Sequence, residues 1–396
     1  MTAQAGTGAR EAGPGDADLR IDRLETFLQR VGDRPRVLVK ITTAGGLTGW
    51  SEVYNHGPDL AFPPLLEYLA DQVRGVDATR VTFVNELLRQ SSRFPPGALG
   101  LAAISAIDHA LWDVAGKAAG LPVYRLIGGA VRDRVRVYAG LYSAPDLPDL
   151  VDRTRSLHDS HGFTAFKLSP YRSDLHRRRF GALARETGEY FRQVRAAHPD
   201  DWEFALDAHA CLWEPHQAVE LGRAVAPSEP LFLEEPLRPE HVPAWARVRD
   251  QMPVPLATGE SLYSTHEFDA LLAAQGADIV QPDICVVGGL TTMLKIAALA
   301  ETRYVPVAPH NPLGPLATAA NVHFAAATTN FSILEFKPDA VSWCPDPYEP
   351  VDGHLELRPE RPGWGVTIDE DALRDDDWVH WERRVPRRPD GSTAWM

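Results

Sequence analysis

Seven ionisable side chains recur at nearly regular intervals through the second half of the chain. They are Lys167, Asp207, Glu234, Glu260, Asp283, His310 and Glu335, and the successive separations are 40, 27, 26, 23, 27 and 25 residues. Carboxylates, an imidazole and an ammonium group can together bind a cation, transfer protons and hold an anionic substrate. One such residue alone could simply be solvated at a strand end, but seven in a regular series predict an active site.

Three successive carboxylates, Asp207, Glu234 and Glu260, form a candidate metal site. Three anions brought together in a half-buried place repel one another unless a cation lies between them. Ligands that are all oxygen atoms favour a hard ion, and Mg²⁺ fits better than zinc because it keeps room for waters and a substrate anion. We choose Glu234 over Glu235 because neighbouring strand residues point to opposite faces.

Asp283 and His310 are the candidate base. They are expected to end consecutive strands, so the carboxylate can hydrogen-bond the imidazole, fix its tautomer and raise its basicity. A histidine taken alone is more often a structural residue of a core or loop. The rigid segment APHNPLGP around His310 and its strand-end position favour the catalytic interpretation.

Lys167 and His209 complete the candidate catalytic residues. Lys167 and Ser169 are two residues apart on a strand and therefore face the same side, where Lys167 could neutralise a substrate carboxylate. His209 follows Asp207 by two residues and could act as a general acid. The alternative for His209 is a supporting contact to the metal site.

Eight short apolar runs separated by helical stretches must position these residues. The runs cover residues 135–140, 165–169, 204–209, 231–236, 254–260, 277–283, 304–310 and 331–336. Strands that alternate with helices indicate βαβ units and a parallel sheet, and eight units predict a closed (β/α)₈ barrel with its active site at the C-terminal ends of the strands. A doubly wound open sheet is the alternative, but it would need a Gly-rich nucleotide loop after the first strand, and the sequence has none there.

The rest of the chain predicts an α+β module and two flanking segments. We expect residues 1–18 to be disordered, 19–130 to form the α+β domain, and 131–340 to form the barrel. The segment 341–396 is rich in Pro and Asp but carries tryptophans, so we expect it to pack back on the α+β domain.

Within the α+β module, residues 20–55 predict strands around a Gly-Gly turn. Residues 62–91 and 97–119 carry apolar side chains at helical spacing, and the second stretch stops at Gly120 before Pro122.

Composition restricts the partners and the compartment. The chain of 396 residues has 40 Lys and Arg against 54 Asp and Glu, a net charge of −14, which argues against nucleic acid and anionic membrane surfaces as partners. Three cysteines, odd in number and far apart, argue against a disulfide framework and favour the cytoplasm. We find no apolar run long enough to span a bilayer.

These residues resemble the enolase superfamily and, within it, the mandelate racemase subgroup. The similarity extends from about residue 20 to 370, and four stretches carry it besides the carboxylate triplet: AISAIDHALWDVAGKAAGLPVYRLIGG (103–129), PDICVVGG (282–289), His310 and PGWGV (362–366). The resemblance implies an α+β capping domain over a modified TIM barrel, a Mg²⁺ ion, and abstraction of the proton next to a carboxylate through an enediolate. It also implies a homo-oligomer. In this architecture the capping domain supplies the specificity loops, with Tyr54, Asn55, His56 and Phe94, Pro95, Pro96 as candidates. The alternative roles for these residues are a capped turn and a loop packed on the barrel.

One departure from the family narrows the expected reaction. Racemases and muconate-type cycloisomerases carry Lys-x-Lys at the end of the second barrel strand, and here the second position is Ser169. Racemisation needs a base on each face of the carbon, so it is disfavoured. The Asp-x-His pattern at Asp207 and His209, and the HNPLGP segment, instead resemble the acid-sugar dehydratases that act on galactonate, gluconate or mannonate.

The resemblance therefore predicts a Mg²⁺-dependent dehydratase that converts a sugar acid, an aldonate or aldarate, to a 2-keto-3-deoxy acid. Mg²⁺ and Lys167 would bind the carboxylate, and His310 would remove the C2 proton. The metal with Glu335 would stabilise the enediolate, and His209 would protonate the leaving 3-hydroxyl. The alternatives are a cycloisomerase or epimerase acting on a sugar acid or lactone, and a non-catalytic homologue that keeps the metal site.

Overall fold

The computed structural model describes most of the chain from residue 18 to residue 394. The described range lacks residues 33, 55–56, 144, 173, 338, 374–377, 379–380 and 382–384. The expectations for residues 1–17 and for Asn55 and His56 therefore lie outside the described residues.

A three-stranded antiparallel sheet forms the first part of the fold. Its strands are β1 (Ile21–Val31), β2 (Arg34–Thr43) and β3 (Thr48–Glu52), in that order. The turn between β2 and β3 contains Gly46 at φ 85°, a left-handed conformation that glycine adopts without strain. The predicted strands over 20–55 and their Gly-Gly turn are confirmed.

Four helices pack on and follow this sheet. They are α1 (Phe62–Val73), α2 (Val81–Gln90), α3 (Gly97–Ala119) and α4 (Val123–Leu126). The predicted helical stretch 62–91 is two helices, because the chain turns at Gly75, whose φ is 79°. Helix α3 ends as predicted, at Gly120 in the left-handed conformation.

Helix α3 is also the one helix among the described residues that is long and apolar enough to cross a membrane. The expectation that no such run exists was therefore wrong by length and composition, but 78% of its apolar window is buried inside the protein. Its composition follows from its position in the core, where it packs against β2, β3 and α2.

Parallel strands and helices alternate through the second part of the fold. The strands are β4 (Arg134–Gly140), β5 (Ala165–Leu168), β6 (Glu203–Asp207), β7 (Leu233–Glu234), β8 (Leu256–Thr258), β9 (Ile279–Val280) and β10 (Leu334–Phe336). The helices are α5 (Leu147–His161), α6 (Phe180–Ala197), α7 (Pro215–Val225), α8 (Val242–Arg249), α9 (Thr265–Ala273), α10 (Leu290–Glu301) and α11 (Pro315–Ala327). Val307 bridges Val280 and Phe331 as the seventh barrel position. Pairing of β10 with β4 closes the barrel, and the fold prediction is confirmed.

Inside the barrel, the polar side chains lie next to an apolar layer, on its C-terminal side. That layer contains Tyr138, Ala165, Ala205, Phe232, Ala257, Ile279, Ala308 and Ile333. Lys167, Asp207, Glu234, His310 and Glu335 each come two residues after one of these side chains. Because side chains two apart on a strand share a face, the polar groups also point into the barrel, one layer nearer its C-terminal end.

The chain after the barrel contacts both parts of the fold. A short strand, β11 (His354–Glu356), pairs antiparallel with β4. The backbone N–H of Trp364 donates to Oδ1 of Asp113 on α3 at 3.0 Å, and Lys40 of β2 pairs with Glu370 at 2.6 Å. A cavity of about 570 Å³ lies between β2 and the C-terminal ends of the barrel strands.

Candidate active site

The three carboxylates predicted to bind a metal lie together, and two of them, Asp207 and Glu260, line this cavity. Asp207, Glu234 and Glu260 each offer one oxygen atom, and these atoms lie within 4.8 Å of one another. Burial, and then the negative charge of Asp207, raise the pKa of Glu234 to about 7. Burial likewise raises the pKa of Glu260 well above its usual range. This mutual repulsion and the all-oxygen donor set fit a hard divalent cation such as Mg²⁺.

Glu235 lines the same cavity, and its charge adds to burial in raising the pKa of Glu260, but its carboxylate has hydrogen-bond partners of its own. Its carboxylate accepts hydrogen bonds from Oγ1 of Thr258 at 3.1 Å and from Oγ of Ser261 at 2.9 Å. Burial raises the pKa of Glu235, and these hydrogen bonds oppose the change. Glu235 therefore has neutral hydrogen-bond partners of its own, while Glu234 faces the other two carboxylates.

Lys167 lies beneath the carboxylates rather than on the cavity wall. Its side chain is 1% exposed, and Nζ lies 2.9 Å from Glu234, 3.0 Å from Glu335 and 3.3 Å from Asp207. Burial alone would lower the pKa of Lys167, but Glu234 and Glu335 raise it well above its usual range. Lys167 is thus a charged counter-ion, and this position differs from the expected direct contact with a substrate carboxylate.

Glu335 is also buried and is not part of the cavity wall. Its carboxylate accepts the backbone N–H of Asn311 at 2.9 Å and the hydroxyl of Tyr142 at 3.1 Å, and it pairs with Lys167. Burial alone would raise the pKa of Glu335, but the charges of Lys167 and His310 hold it below its usual value. An ionised carboxylate repels a developing anion, so this arrangement favours a role through Lys167 over direct stabilisation of an enediolate.

His310 and Asp283 form the expected pair. Nδ1 of His310 lies 2.8 Å from Oδ2 of Asp283, whose Oδ1 accepts the backbone N–H of Cys285 at 2.7 Å. Nε2 of His310 lies 3.1 Å from Glu260, and the imidazole lines the cavity. Burial alone would lower the pKa of His310, but Glu260 and then Asp283 raise it to about 10.

His209 reaches the cavity from an unusual backbone conformation. His209 and Ala210 both have left-handed φ values, 50° and 55°, in a turn whose Ala210 N–H donates to the Glu235 carbonyl at 2.6 Å. The His209 side chain is 39% exposed, and its Nε2 lies 3.3 Å from Asp207. The ring therefore contacts both the open cavity and a candidate metal ligand.

Several cavity residues were not predicted. Arg34 and Arg36 reach it from β2, Lys337 follows β10, and Trp381 comes from the C-terminal segment. The RPR sequence at the start of β2 was the only signal for the arginines, in a chain that uses arginine as its ordinary cation.

Of the candidate specificity residues, Tyr54 lines the cavity, and its ring centroid lies 6.3 Å from that of His310. Phe94 is 73% exposed to solvent.

Comparisons with known proteins agree with this architecture. Residues 20–128 match the mandelate racemase / muconate lactonizing enzyme N-terminal domain, and residues 149–372 match the enolase C-terminal domain-like family. D-galactonate dehydratases from Xanthomonas oryzae pv. oryzae and Ralstonia nicotianae are 34% and 36% identical, and each alignment covers 95% of this chain and 100% of the relative.

A solved structure from Agrobacterium radiobacter is 54% identical and superposes with a TM-score of 0.93 over 95% of this chain and 100% of that chain. It is described as an enolase with galactarate dehydratase as its proposed activity, and it holds sodium and L-malate. With both of its domains matched, the chain belongs to the mandelate racemase / muconate lactonizing enzyme family of the enolase superfamily.

Proposed function

We propose that the protein is a Mg²⁺-dependent acid-sugar dehydratase that removes the C2 proton of its substrate and expels the 3-hydroxyl, giving a 2-keto-3-deoxy acid. The observation that carries the proposal is one cavity lined by a carboxylate-oriented base, His310, by a second histidine, His209, and by two of the three clustered carboxylates. The dehydratase relatives support the reaction class.

His310 is the proposed general base. Its Nδ1–H donates to Asp283, so Nε2 is the atom left to accept the C2 proton. Asp283 then stabilises the imidazolium that forms, as a carboxylate behind a catalytic imidazole does in general. Base catalysis of this kind contributes roughly 10² to 10⁴ in rate.

Asp207, Glu234 and Glu260 are the proposed Mg²⁺ ligands. A bound Mg²⁺ would offset their repulsion, weaken the pull of Glu260 on the His310 proton and stabilise negative charge that develops on the substrate carboxylate. Lys167 binds Glu234, Asp207 and Glu335 from below, and we assign it to keeping these groups ionised and in position. Glu335 then acts by holding Lys167.

His209 is the proposed general acid. It lines the cavity with Asp207 as a neighbour, and a protonated imidazole there can donate its proton to a departing hydroxyl. At the position of the family's second lysine, Ser169 also lines the cavity, and its Oγ accepts the backbone N–H of Tyr171 at 3.2 Å. A neutral hydroxyl is a poor base, so these residues favour elimination over racemisation.

The dehydratase relatives divide between a monoacid, galactonate, and a diacid, galactarate, so either class is open on similarity alone. A cycloisomerase or epimerase would share His310 and the metal but would not release water. We further propose a cytoplasmic location, consistent with the three free cysteines, and a homo-oligomer.

The experiment is turnover of a stereochemically complete panel of aldonic and aldaric acids with Mg²⁺, with and without EDTA, followed by carbonyl derivatisation of the products. We expect at least one EDTA-sensitive acid, and no product from a His310→Asn variant that still binds Mg²⁺. If the protein binds Mg²⁺ but turns over none of the acids in the panel, the proposal is contradicted.

A further inference from the structure

The cavity has an acidic side and a basic side. The acidic triad belongs to β6, β7 and the segment after β8, which are the third, fourth and fifth barrel positions. Lys337 follows β10, the eighth position, which lies directly across an eight-membered barrel from β7. The Nη2 of Arg36 donates to the carbonyl of Pro312, in the segment after the seventh position, at 3.1 Å. Arg34, Arg36 and Lys337 therefore line the cavity across from the metal ligands, whereas Arg238, which follows β7 and pairs with Glu240 at 2.6 Å, lines it on the acidic side.

Arg34 and Lys337 are the members of this basic side best suited to contact a ligand. The guanidinium carbon of Arg34 lies 3.9 Å from the ring centroid of Trp381, and both residues line the cavity. A guanidinium that stacks on an aromatic ring keeps its N–H groups at the edge of its plane, where they can bind a carboxylate by two parallel hydrogen bonds. Lys337 lines the same cavity, with Asp339 at 2.7 Å holding its ammonium group.

We propose that Arg34 and Lys337 bind a second carboxylate, at the end of the substrate far from C2, so that the protein acts on six-carbon diacids in preference to monoacids. This inference rests on the proposed dehydratase function. An aldonic acid ends in a neutral hydroxymethyl group, which gains little from two cations, whereas an aldaric acid ends in a carboxylate. The cavity of about 570 Å³ is within the usual range for a ligand of this size.

Trp381 has a positioning role in this proposal. It touches the guanidinium of Arg34 and thereby limits the orientations of that side chain. Loss of the ring should weaken diacid binding less than loss of the charge, because Arg34 would keep its charge and lose only part of its orientation.

The test compares aldaric and aldonic acids of the same configuration, with Mg²⁺ present, as substrates of the wild-type protein and of variants. We expect wild-type kcat/KM to be at least about tenfold higher for the diacid. Arg34→Gln and Lys337→Gln should each lower kcat/KM for the diacid by about 10- to 100-fold, mainly through KM, since a charge-assisted hydrogen bond contributes about 1.5–3 kcal/mol. The monoacid values should change little.

Two further variants separate charge from geometry. Arg34→Lys keeps the charge without the planar fork and should give an intermediate KM for the diacid, as should Trp381→Leu. Arg80→Gln is the matched control, because Arg80 also lies over an aromatic ring, that of Phe83 at 4.1 Å, on helix α2 outside the cavity. Arg80→Gln should leave kcat/KM unchanged for both acids.

The inference is overturned if wild-type kcat/KM is higher for the monoacid, or if Arg34→Gln lowers kcat/KM equally for both acids. Either result leaves the proposed dehydratase function intact. If no acid reacts, the proposed function fails, and the subsite is tested by calorimetric binding to the His310→Asn protein with Mg²⁺. Diacid binding that weakens in a His310→Asn, Arg34→Gln double variant supports the subsite. Binding no tighter than that of the monoacid overturns it.

Discussion

Nδ1 of His310 lies 2.8 Å from Oδ2 of Asp283, although the two residues are 27 positions apart in the chain. Both follow barrel strands whose C-terminal ends meet at one rim, so the barrel itself brings the carboxylate behind the imidazole. The contact assigns the Nδ1–H tautomer to neutral His310 and leaves Nε2 toward the cavity.

Replacement of Asp283 by Asn should therefore lower kcat by about 10² to 10⁴, because the imidazole loses the partner that fixes its tautomer and stabilises its charged form. Asn keeps an oxygen that can accept the Cys285 N–H, so the local turn should persist. Steady-state kinetics together with calorimetric Mg²⁺ titration check this. Wild-type kcat in Asp283→Asn would remove Asp283 from the mechanism.

The paired glutamates allow a test of the metal site with a neighbouring control. Glu234→Gln should weaken Mg²⁺ binding by at least about tenfold, because one of three anionic oxygen ligands becomes neutral. Glu235→Gln should bind Mg²⁺ nearly as the wild type does, since Thr258 and Ser261 hold that side chain. Isothermal titration measures both constants. Equal losses in the two variants would argue against the assigned ligand set.

Lys167 should contribute more to stability without metal than with it. Lys167→Met leaves buried carboxylates without their counter-ion, which should cost about 3–5 kcal/mol in the free energy of unfolding measured in EDTA. Saturating Mg²⁺ should reduce that loss.

The control for this prediction is Lys295→Met. Lys295 is a half-exposed lysine 3.4 Å from Glu86, and its removal should cost less than about 1 kcal/mol. Urea denaturation with and without Mg²⁺ gives the change in the free energy of unfolding for each of the two variants under both conditions. If Lys167→Met unfolds like the wild type in EDTA, Lys167 is not the required counter-ion.

His209 should act only in the loss of the hydroxyl and not in the removal of the C2 proton. His209→Asn should still exchange the C2 proton of a substrate with D₂O, because His310 is intact, but it should form product about 10² to 10⁴ times more slowly. Proton NMR follows exchange and product formation in one sample. If exchange and elimination fall together, His209 supports the metal site, which is the alternative role.

Acid should destabilise the protein partly through His323. The backbone N–H of Tyr124 donates to its Nδ1 at 3.0 Å and its Nε2 lies 3.1 Å from the Trp364 carbonyl, so only the neutral Nε2–H ring fits. Burial lowers the pKa of His323 to about 4. Because the folded pKa lies below the unfolded value near 6.5, the contribution is complete above pH 6.5 and declines as the pH falls to about 4.

The loss over that window is about 3 kcal/mol. His323→Gln offers an acceptor and a donor without titrating, so its free energy of unfolding should fall less between about pH 6.5 and pH 4. Denaturant titrations at several pH values measure both slopes. Identical slopes would mean that His323 does not titrate on unfolding.

The barrel could be predicted from sequence because its signals are local. Each apolar run, such as 204–209, carries its own alternation, and the nearly regular recurrence of the runs implies repeated units. The same alternation predicted Glu234 rather than Glu235 for the metal site, since it depends only on strand geometry, and in the structure the Glu234 carboxylate lies with those of Asp207 and Glu260.

Other features depend on contacts between distant segments. Lys167 is buried because it pairs with three carboxylates supplied by different strands. The sequence does not tell whether a lysine is buried against such carboxylates or faces the cavity. Arg34 and Trp381 meet at the cavity from opposite ends of the chain. The left-handed turn at His209 and Ala210 contains no glycine that would have indicated it.

The most direct test of the dehydratase mechanism is the product formed in D₂O from an acid that the wild-type protein turns over with Mg²⁺. We predict a 2-keto-3-deoxy acid that is lighter than its substrate by one water molecule, apart from the deuterium that enters at C3, and no product in EDTA. A product with the substrate's own mass would contradict elimination and assign the cavity to an isomerisation.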